Sequence, residues 1–285
     1  MNRERQARRP VPLRLLFLTP AAVVVGVLFI APLGVVLLYS FLSRGVYGGV
    51  ELPFTPENFL RLVDPLYLRI LWRSFLMAGA ATVGCLVLGF PLALFISRAG
   101  ARKTLYLHLV MLPFWTCFLV RTYAWMFLLR DTGLVNTVLS AVGVIREPLP
   151  MLYSAGAVWV GLVYGFLPFA VLPLYATIEK IDRNLLEAAA DLGARPWQTL
   201  VRVVVPLAAP GIRAGAVLVF IPCLGAYLTP DLLGGSKVIM AGNLIQNQFT
   251  NARDWPFGAA ASLLLMAAAM ALLSVWVWRE KEKLL

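Results

Sequence analysis
The amino-acid sequence predicts an all-α integral membrane protein with six transmembrane helices, and three observations carry that expectation. Hydrophobic residues make up 60% of the 285 residues and charged ones only 14%, against about 25% charged in soluble domains. Six charge-free runs are each long enough to cross a bilayer. Lysine and arginine gather in alternate connections between those runs, the pattern that marks the cytoplasmic side of a membrane.

The runs extend from Leu15 to Ser43, Ser74 to Ser97, Thr104 to Val120, Pro148 to Ile178, Ala214 to Pro230 and Trp255 to Trp278, with lengths of 29, 24, 17, 31, 17 and 24 residues. A spanning helix needs roughly 20 predominantly apolar residues, within a range of about 17 to 25, so all six qualify. Pro20 and Pro32 interrupt the first, Gly89 and Pro91 the second, Pro168 and Pro173 the fourth. Such residues are common in membrane helices and tolerated where neighbours or cavity water satisfy the freed backbone groups, and they permit kinked, movable spans. In the sixth, Gly258, Ala259, Ala260, Ala261, Ala267, Ala268 and Ala269 suit close helix packing. The run from Val238 to Ala252 is also uncharged, but Asn243, Gln246, Asn247, Gln248 and Asn251 make it too polar to span. An interfacial or pore-facing helix is expected there.

An even number of spans puts both termini on one side. That side holds 16 of the 25 basic residues, while the acidic residues divide seven and seven. The positive-inside rule then makes both termini cytoplasmic. The expected organisation is a basic cytoplasmic arm at 1–14, suited to anionic lipid, a six-helix domain at 15–278 with a cytoplasmic loop at about 179–213, and a cytoplasmic tail at 279–285. The net charge of +11 is topological, so no nucleic-acid partner is needed. The apolar run after the arm is twice the length of a signal-peptide core of about 7 to 15 residues, which favours an uncleaved first span.

Enzyme chemistry finds no support. His108 is the single histidine, so no Ser/His/Asp arrangement exists, and no acid–base pair lies within the spans. Cys85, Cys117 and Cys223 each lie inside an apolar run, without disulfide or zinc-site spacing, and read as buried small hydrophobes.

The loop from Glu179 to Arg213 is the largest inward segment. A helix is expected from Leu185 to Leu192, capped by Asp182 or Asn184 and ended by Gly193. A second follows from Arg195 to Val204, with Pro196 in its first turn. Pro206 and Pro210 then redirect the chain. Ala188, Ala189 and Ala190 form a surface of low relief. Glu187 and Asp191, four residues apart, share one face as an acidic edge. That describes a docking element for another protein; from composition alone, an amphipathic helix lying on the membrane is the alternative.

The spacing here carries a resemblance. Glu187-Ala188-Ala189, three residues, Gly193, nine residues, then Val203-x-Val205-Pro206 resembles the EAA loop of binding-protein-dependent ABC importer permeases, E-A-A-x3-G-x9-I-x-L-P. Val203 and Val205 replace Ile and Leu, both conservatively. The resemblance implies a type I ABC importer (MetI-like) permease fold in a bacterial inner membrane. It implies that the loop forms coupling helices entering a cleft on an ATP-binding subunit. There Glu187 meets basic groups, Ala188 and Ala189 fill the cleft, Asp191 extends the acidic edge, and Gly193 permits the turn, with Pro206 closing the motif. The implied partners are two ABC ATPase copies, a second homologous permease and a periplasmic or lipid-anchored solute-binding protein. This chain is expected to bind no cofactor. It has no Gly-Lys pair and therefore no P-loop, so ATP and magnesium belong to the partner ATPase.

Leu112 to Leu129, Gly161 to Asp182 and Leu228 to Ser262 further resemble the permeases of spermidine/putrescine importers, most specifically at Asp231-Leu232-Leu233-Gly234-Gly235 and Asp254-Trp255-Pro256. A polyamine needs carboxylates for its ammonium groups and aromatic faces for cation–π contacts of about 0.5 to 2 kcal/mol each. Trp115, Tyr123, Trp125, Tyr164 and Tyr227, with Asp231, are the candidate pathway residues near the outward halves of the spans. Importers of opines, phosphonates, ferric ion or thiamine have related permeases and stay open as alternatives, as does a self-sufficient secondary transporter. Arg121 lies eighteen residues after Lys103, about 27 Å along a straight helix at ~1.5 Å per residue. There, pairing with Asp131 or a backbone carbonyl is expected. His108, on the inward half of the same span, reads as a packed imidazole.

Overall fold
The structure, a computed structural model, describes residues 13–281. Residues 1–12 of the expected arm and 282–285 of the expected tail lie outside it. Two compact units are formed by the described residues: those from 13 to 62 with Gln248–Leu264, and Val63–Asn247 with those from 265 to 281.

In the first unit, α1 (Leu13–Val25) passes through a π-turn at Gly26–Ile30 into α2 (Ala31–Ser40). The wide turn immediately precedes Pro32, which has no N–H to offer residue 28, and the Ala31 N–H donates to the Gly26 carbonyl instead. A short antiparallel hairpin, β1 (Leu42–Arg44) with β2 (Val50–Phe54), departs from the all-α expectation and is followed by α3 (Glu57–Leu62). Buried Asn58 donates to the carbonyls of Ser40, the last residue of α2, and Leu42, the first of β1, at 3.0 and 2.8 Å, tying α3 to the helix end and the hairpin. Asp254, 2% exposed, accepts from Arg61 at 2.9 Å, and the Arg61 guanidinium lies 4.3 Å above the Phe257 ring. Asp254 is thereby committed to an ion pair within this unit.

The chain continues through α4 (Pro65–Ser97), α5 (Lys103–Met111), α6 (Phe118–Leu129), α7 (Leu134–Ala141), α8 (Ala155–Ile178), α9 (Arg183–Asp191), α10 (Pro196–Thr199), α11 (Val205–Leu207), α12 (Ala209–Leu224), α13 (Ala241–Thr250) and α14 (Trp255–Lys281). Four stretches are long and apolar enough to cross a membrane: Leu18–Ser40, Pro65–Ser97, Ala155–Ile178 and Trp255–Ser274. Two bent pairs, Gly100–Trp115 with Phe118–Ala141 and Pro196–Leu207 with Ala209–Leu224, raise the number to six when each counts as one span.

Several boundaries differ from the charge-free runs, each for a physical reason. The second span begins at Pro65 rather than Ser74, because a helix continues through Arg69 and Arg73 once Asp64 caps it by accepting from the Leu66 N–H at 2.8 Å. The third is not one helix. Pro113 lacks an N–H, the chain tightens to a 3₁₀ turn at Leu112–Trp115, and Thr116 and Cys117 turn extended, so the two arms meet at 87°. Arg121 therefore does not stand 27 Å along a continuous helix. It occupies the first turn of α6, and the ion pairs among the described residues, Arg61–Asp254 and Lys103–Glu179, do not include it. The fifth span, expected at Ala214–Pro230, ends at Leu224 and meets the preceding arm at 65°. Pro91, Pro168 and Pro173 lie inside uninterrupted helices. Cys117 and His108 are exposed in this chain, against the expectation of burial, while Cys85 and Cys223 are buried as expected.

The second unit is built on α4, α8 and α12, whose shared core holds small side chains such as Ala78, Ala81, Cys85, Ala170 and Cys223. Small residues let backbones approach closely where lipid supplies no hydrophobic drive to associate. A Cβ at Gly211 would stand 2.7 Å from the Pro173 carbonyl oxygen and 2.6 Å from Thr177 Oγ1, so only glycine fits that crossing of α12 over α8. The Trp159 indole N–H donates to the Ala80 carbonyl at 2.9 Å, tying α8 to α4.

Candidate functional site
The loop between α8 and α12 forms much as its residues dictate. Asp182 is the cap of α9: its Oδ1 accepts from the Asn184 N–H at 3.0 Å, so Asn184 is the donor rather than the cap. At the other end the Gly193 N–H donates to Ala190 at 2.8 Å and the Ala194 N–H to Ala189 at 3.0 Å, the paired bonds of a Schellman ending. Gly193 has φ +79°, and nothing lies within 4 Å of where a Cβ would stand; backbone conformation, not space, asks for glycine. The expected second helix is in pieces: α10, a π-turn at Leu200–Val204, and α11 containing Pro206. As before Pro32, the π-turn accommodates a proline with no N–H to give. The chain then bends at buried Ala208, which packs with Ala93, Ile96, Leu174 and Ile178.

No residue of α9 is buried. Glu187, Ala188, Asp191, Gly193 and Pro206 are exposed and Ala189 is half-buried, so the acidic edge and its alanine floor are available together. Beside them stand Leu192, 89% exposed, and Trp197, 70% exposed. Sequence reasoning missed both, although a tryptophan directly after Pro196 in a polar loop was a visible signal. Behind α9 lies a cavity of about 760 Å³ lined by Ser97 and Arg98 from the end of α4 and by Glu179, Asp182, Arg183 and Glu187. A smaller one of about 410 Å³ reaches Ala190, Ala194 and Trp197. The Lys103 ammonium donates to Glu179 Oε1 at 2.6 Å and ties the start of α5 to the end of α8. The loop is thus an exposed lever rooted where α4 and α8 end and α5 begins.

The candidate pathway residues are only partly brought together. Trp125 and Tyr164 meet edge to face at 5.5 Å between centroids. The Asp231 N–H donates to the Tyr227 carbonyl at 3.0 Å, and both side chains are exposed. Trp115 and Tyr123 are exposed on either side of the break in the third span.

Four long apolar helices and two bent helix pairs, with an exposed charged loop between α8 and α12, are the architecture of a multi-pass membrane protein. The chain belongs to the family described as binding-protein-dependent transport system inner membrane component, which matches residues 11–278. It is a multi-pass inner-membrane permease of an ATP-binding-cassette importer and not the catalytic subunit. Within that class, it is 46% identical over 246 residues to the spermidine/putrescine transport system permease protein PotB of Escherichia coli (strain K12), covering 86% of this chain and 89% of that protein. A chain of a bacterial ABC transporter involved in import of the acidic polysaccharide alginate superposes with a TM-score of 0.73 at 18% identity, over 94% of this chain and 95% of that one. A chain of the MetNI methionine ABC transporter does so with a TM-score of 0.53 at 17% identity, over 77% and 96%. These two likenesses speak for the fold alone, which is the MetI-like fold expected. Family membership also removes the self-sufficient secondary transporter.

Proposed function
We propose that this chain forms half of the translocation pathway of an importer for spermidine, putrescine or a closely similar polyamine. The observation that carries the substrate is the 46% identity, spread over 86% of the chain, to a permease named for those solutes. The second half is a homologous permease, two copies of an ABC ATPase hold ATP and magnesium, and a periplasmic or lipid-anchored binding protein delivers the solute. Both termini face the cytoplasm, as the distribution of 16 of 25 basic residues on that side favours. The organisation is a 1–14 arm, a 15–278 permease domain and a 279–285 tail.

In this reading Glu187, Ala188, Ala189, Asp191, Gly193 and Pro206 couple the chain to the ATPase, and the exposure of the acidic edge supports it. Closure of the ATPase pair moves the lever, and its root on α4, α5 and α8 passes the motion to the spans. Trp115, Tyr123, Trp125, Tyr164, Tyr227 and Asp231 line the pathway, offering ring faces to methylene stretches and ammonium groups. No carboxylate lies within the charge-free runs, so this half supports passage, while tight capture falls to the binding protein. The test is ATPase activity of the reconstituted complex with its binding protein across a panel of polyamines, phosphonates, ferric ion and thiamine. Stimulation by spermidine or putrescine is expected; stimulation only by another class refutes the substrate.

A further inference from the structure
Among the described residues, three buried side-chain polar atoms lack a hydrogen-bond partner: Arg121 Nε, Arg121 Nη1 and Thr229 Oγ1. Arg121 is 9% exposed and sits just past the break in the third span. Its guanidinium carbon lies 5.1 Å from the centroid of the Phe114 ring and 5.4 Å from that of Phe118. Phe114 belongs to the 3₁₀ turn before the break and Phe118 opens α6 after it. Helix α8 supports both rings from behind, Phe169 standing edge-on to Phe114 at 5.1 Å and Phe166 lying 6.5 Å from Phe118. One cation therefore rests on an aromatic face from each arm of a span bent by 87°.

Stability alone does not account for this arrangement. Charged donors buried without acceptors are unfavourable, and ring faces offset only part of the loss. An unpaired buried group in a folded protein calls for a specific reason. The orphan hydroxyl borders the same ground. The Thr229 methyl lies 2.7 Å from where a Cβ at Gly161 would stand, and the Phe118 ring lies 3.2 Å from the equivalent point at Gly165, one turn along α8. The π-turn Pro230–Gly234 that follows Thr229 packs against both α6 and α8. The Thr229 methyl and the Phe118 ring that carries Arg121 thus lie against neighbouring turns of α8.

We propose that Arg121 is a positioning residue that sets the angle of the broken third span. It is stacked across the break in this conformation, and it passes its free N–H groups to the Thr229 hydroxyl when the two arms re-orient during transport. Exchanging ring faces for a charge-assisted hydrogen bond keeps the two positions close in free energy, which lets a partner's ATP-driven motion select between them. The proposal rests on the chain acting as half of an ATP-driven importer.

Cys117 supplies the probe, because it is the exposed cysteine and stands in the break, whereas Cys85 and Cys223 are buried. A nitroxide on Cys117 of the reconstituted importer, recorded without nucleotide and with ATP trapped, is expected to give two different spectra. Arg121→Met should give one spectrum in both states and lower uptake roughly tenfold or more, whereas Arg121→Lys, which keeps the cation, retains much of the difference. Phe114→Leu removes only the ring on the near arm and should lose part of the difference; it also keeps the test open if Arg121→Met fails to insert. Thr229→Val should lower uptake several-fold alone and add nothing to Arg121→Met. Identical native spectra with uptake intact, or an undiminished difference and normal uptake in both Arg121→Met and Phe114→Leu, overturns the proposal. Additive Arg121 and Thr229 effects overturn the transfer. A native complex without ATP-dependent uptake speaks against the importer reading instead.

Discussion
Single residues carry two of the sharpest consequences. Gly193 holds φ +79° with open space around it, so Gly193→Ala should leave every contact in place and cost about 1–2 kcal/mol through the left-handed backbone alone. ATP-driven uptake should fall several-fold with membrane insertion unchanged, and Gly193→Asp or Glu187→Lys should abolish it. Unimpaired uptake by the last two would remove the coupling role. Asp254 makes a different kind of case: it is buried, and its partner Arg61 is 39% exposed. Asp254→Ala should cost about 1–3 kcal/mol, less than the ~3–5 of a fully buried pair because Arg61 can recover hydration. A fall of several degrees in the unfolding temperature of the detergent-solubilised protein checks this, with Asp254→Asn falling less because its amide still accepts from the Phe257 N–H, 3.2 Å away. The cap and turn residues of the loop were legible from sequence because each acts on backbone two or three positions away. Arg121 was not, because its surroundings depend on a break made by Pro113, eight residues earlier.

At the scale of elements, prolines with no N–H to give leave a recurrent signature. A π-turn precedes Pro32 and another precedes Pro206, while Pro113 opens a 3₁₀ turn and a break. Pro91, Pro168 and Pro173 instead stay within uninterrupted helices. Sequence reasoning named these residues except Pro113 and could not rank them, since the outcome depends on what neighbouring helices supply to the freed carbonyls. The contact of α12 on α8 is the strictest element-level constraint. Gly211→Leu places a side chain where backbone already stands, within 2.7 Å of the Pro173 carbonyl oxygen, and should wedge the pair apart. The expected outcome is loss of monodisperse folded protein on extraction, whereas Gly193→Ala, at the exposed lever, leaves extraction normal.

For the whole molecule, orientation is the property on which every functional assignment depends. Tyr47, at the tip of the β1–β2 hairpin, is 94% exposed, and Asp191 is exposed at the lever. With Cys117→Ser as background, a cysteine at position 47 should react with an impermeant thiol reagent from outside intact cells. A cysteine at 191 should react only after the membrane is opened, and the reverse pattern would invert the assignment. By itself the sequence determined the membrane as solvent, the apolar stretches able to cross it, the side on which charge collects and the spacing of the loop. Hydrocarbon length and charge cost are local quantities, read from runs of about 20 residues. Only the tertiary structure decided where spans begin and break, which glycines are irreplaceable, and that Arg121 faces two rings rather than a carboxylate. Those depend on which distant backbone lies opposite a given residue, and the packing of α4, α8 and α12 supplies that information.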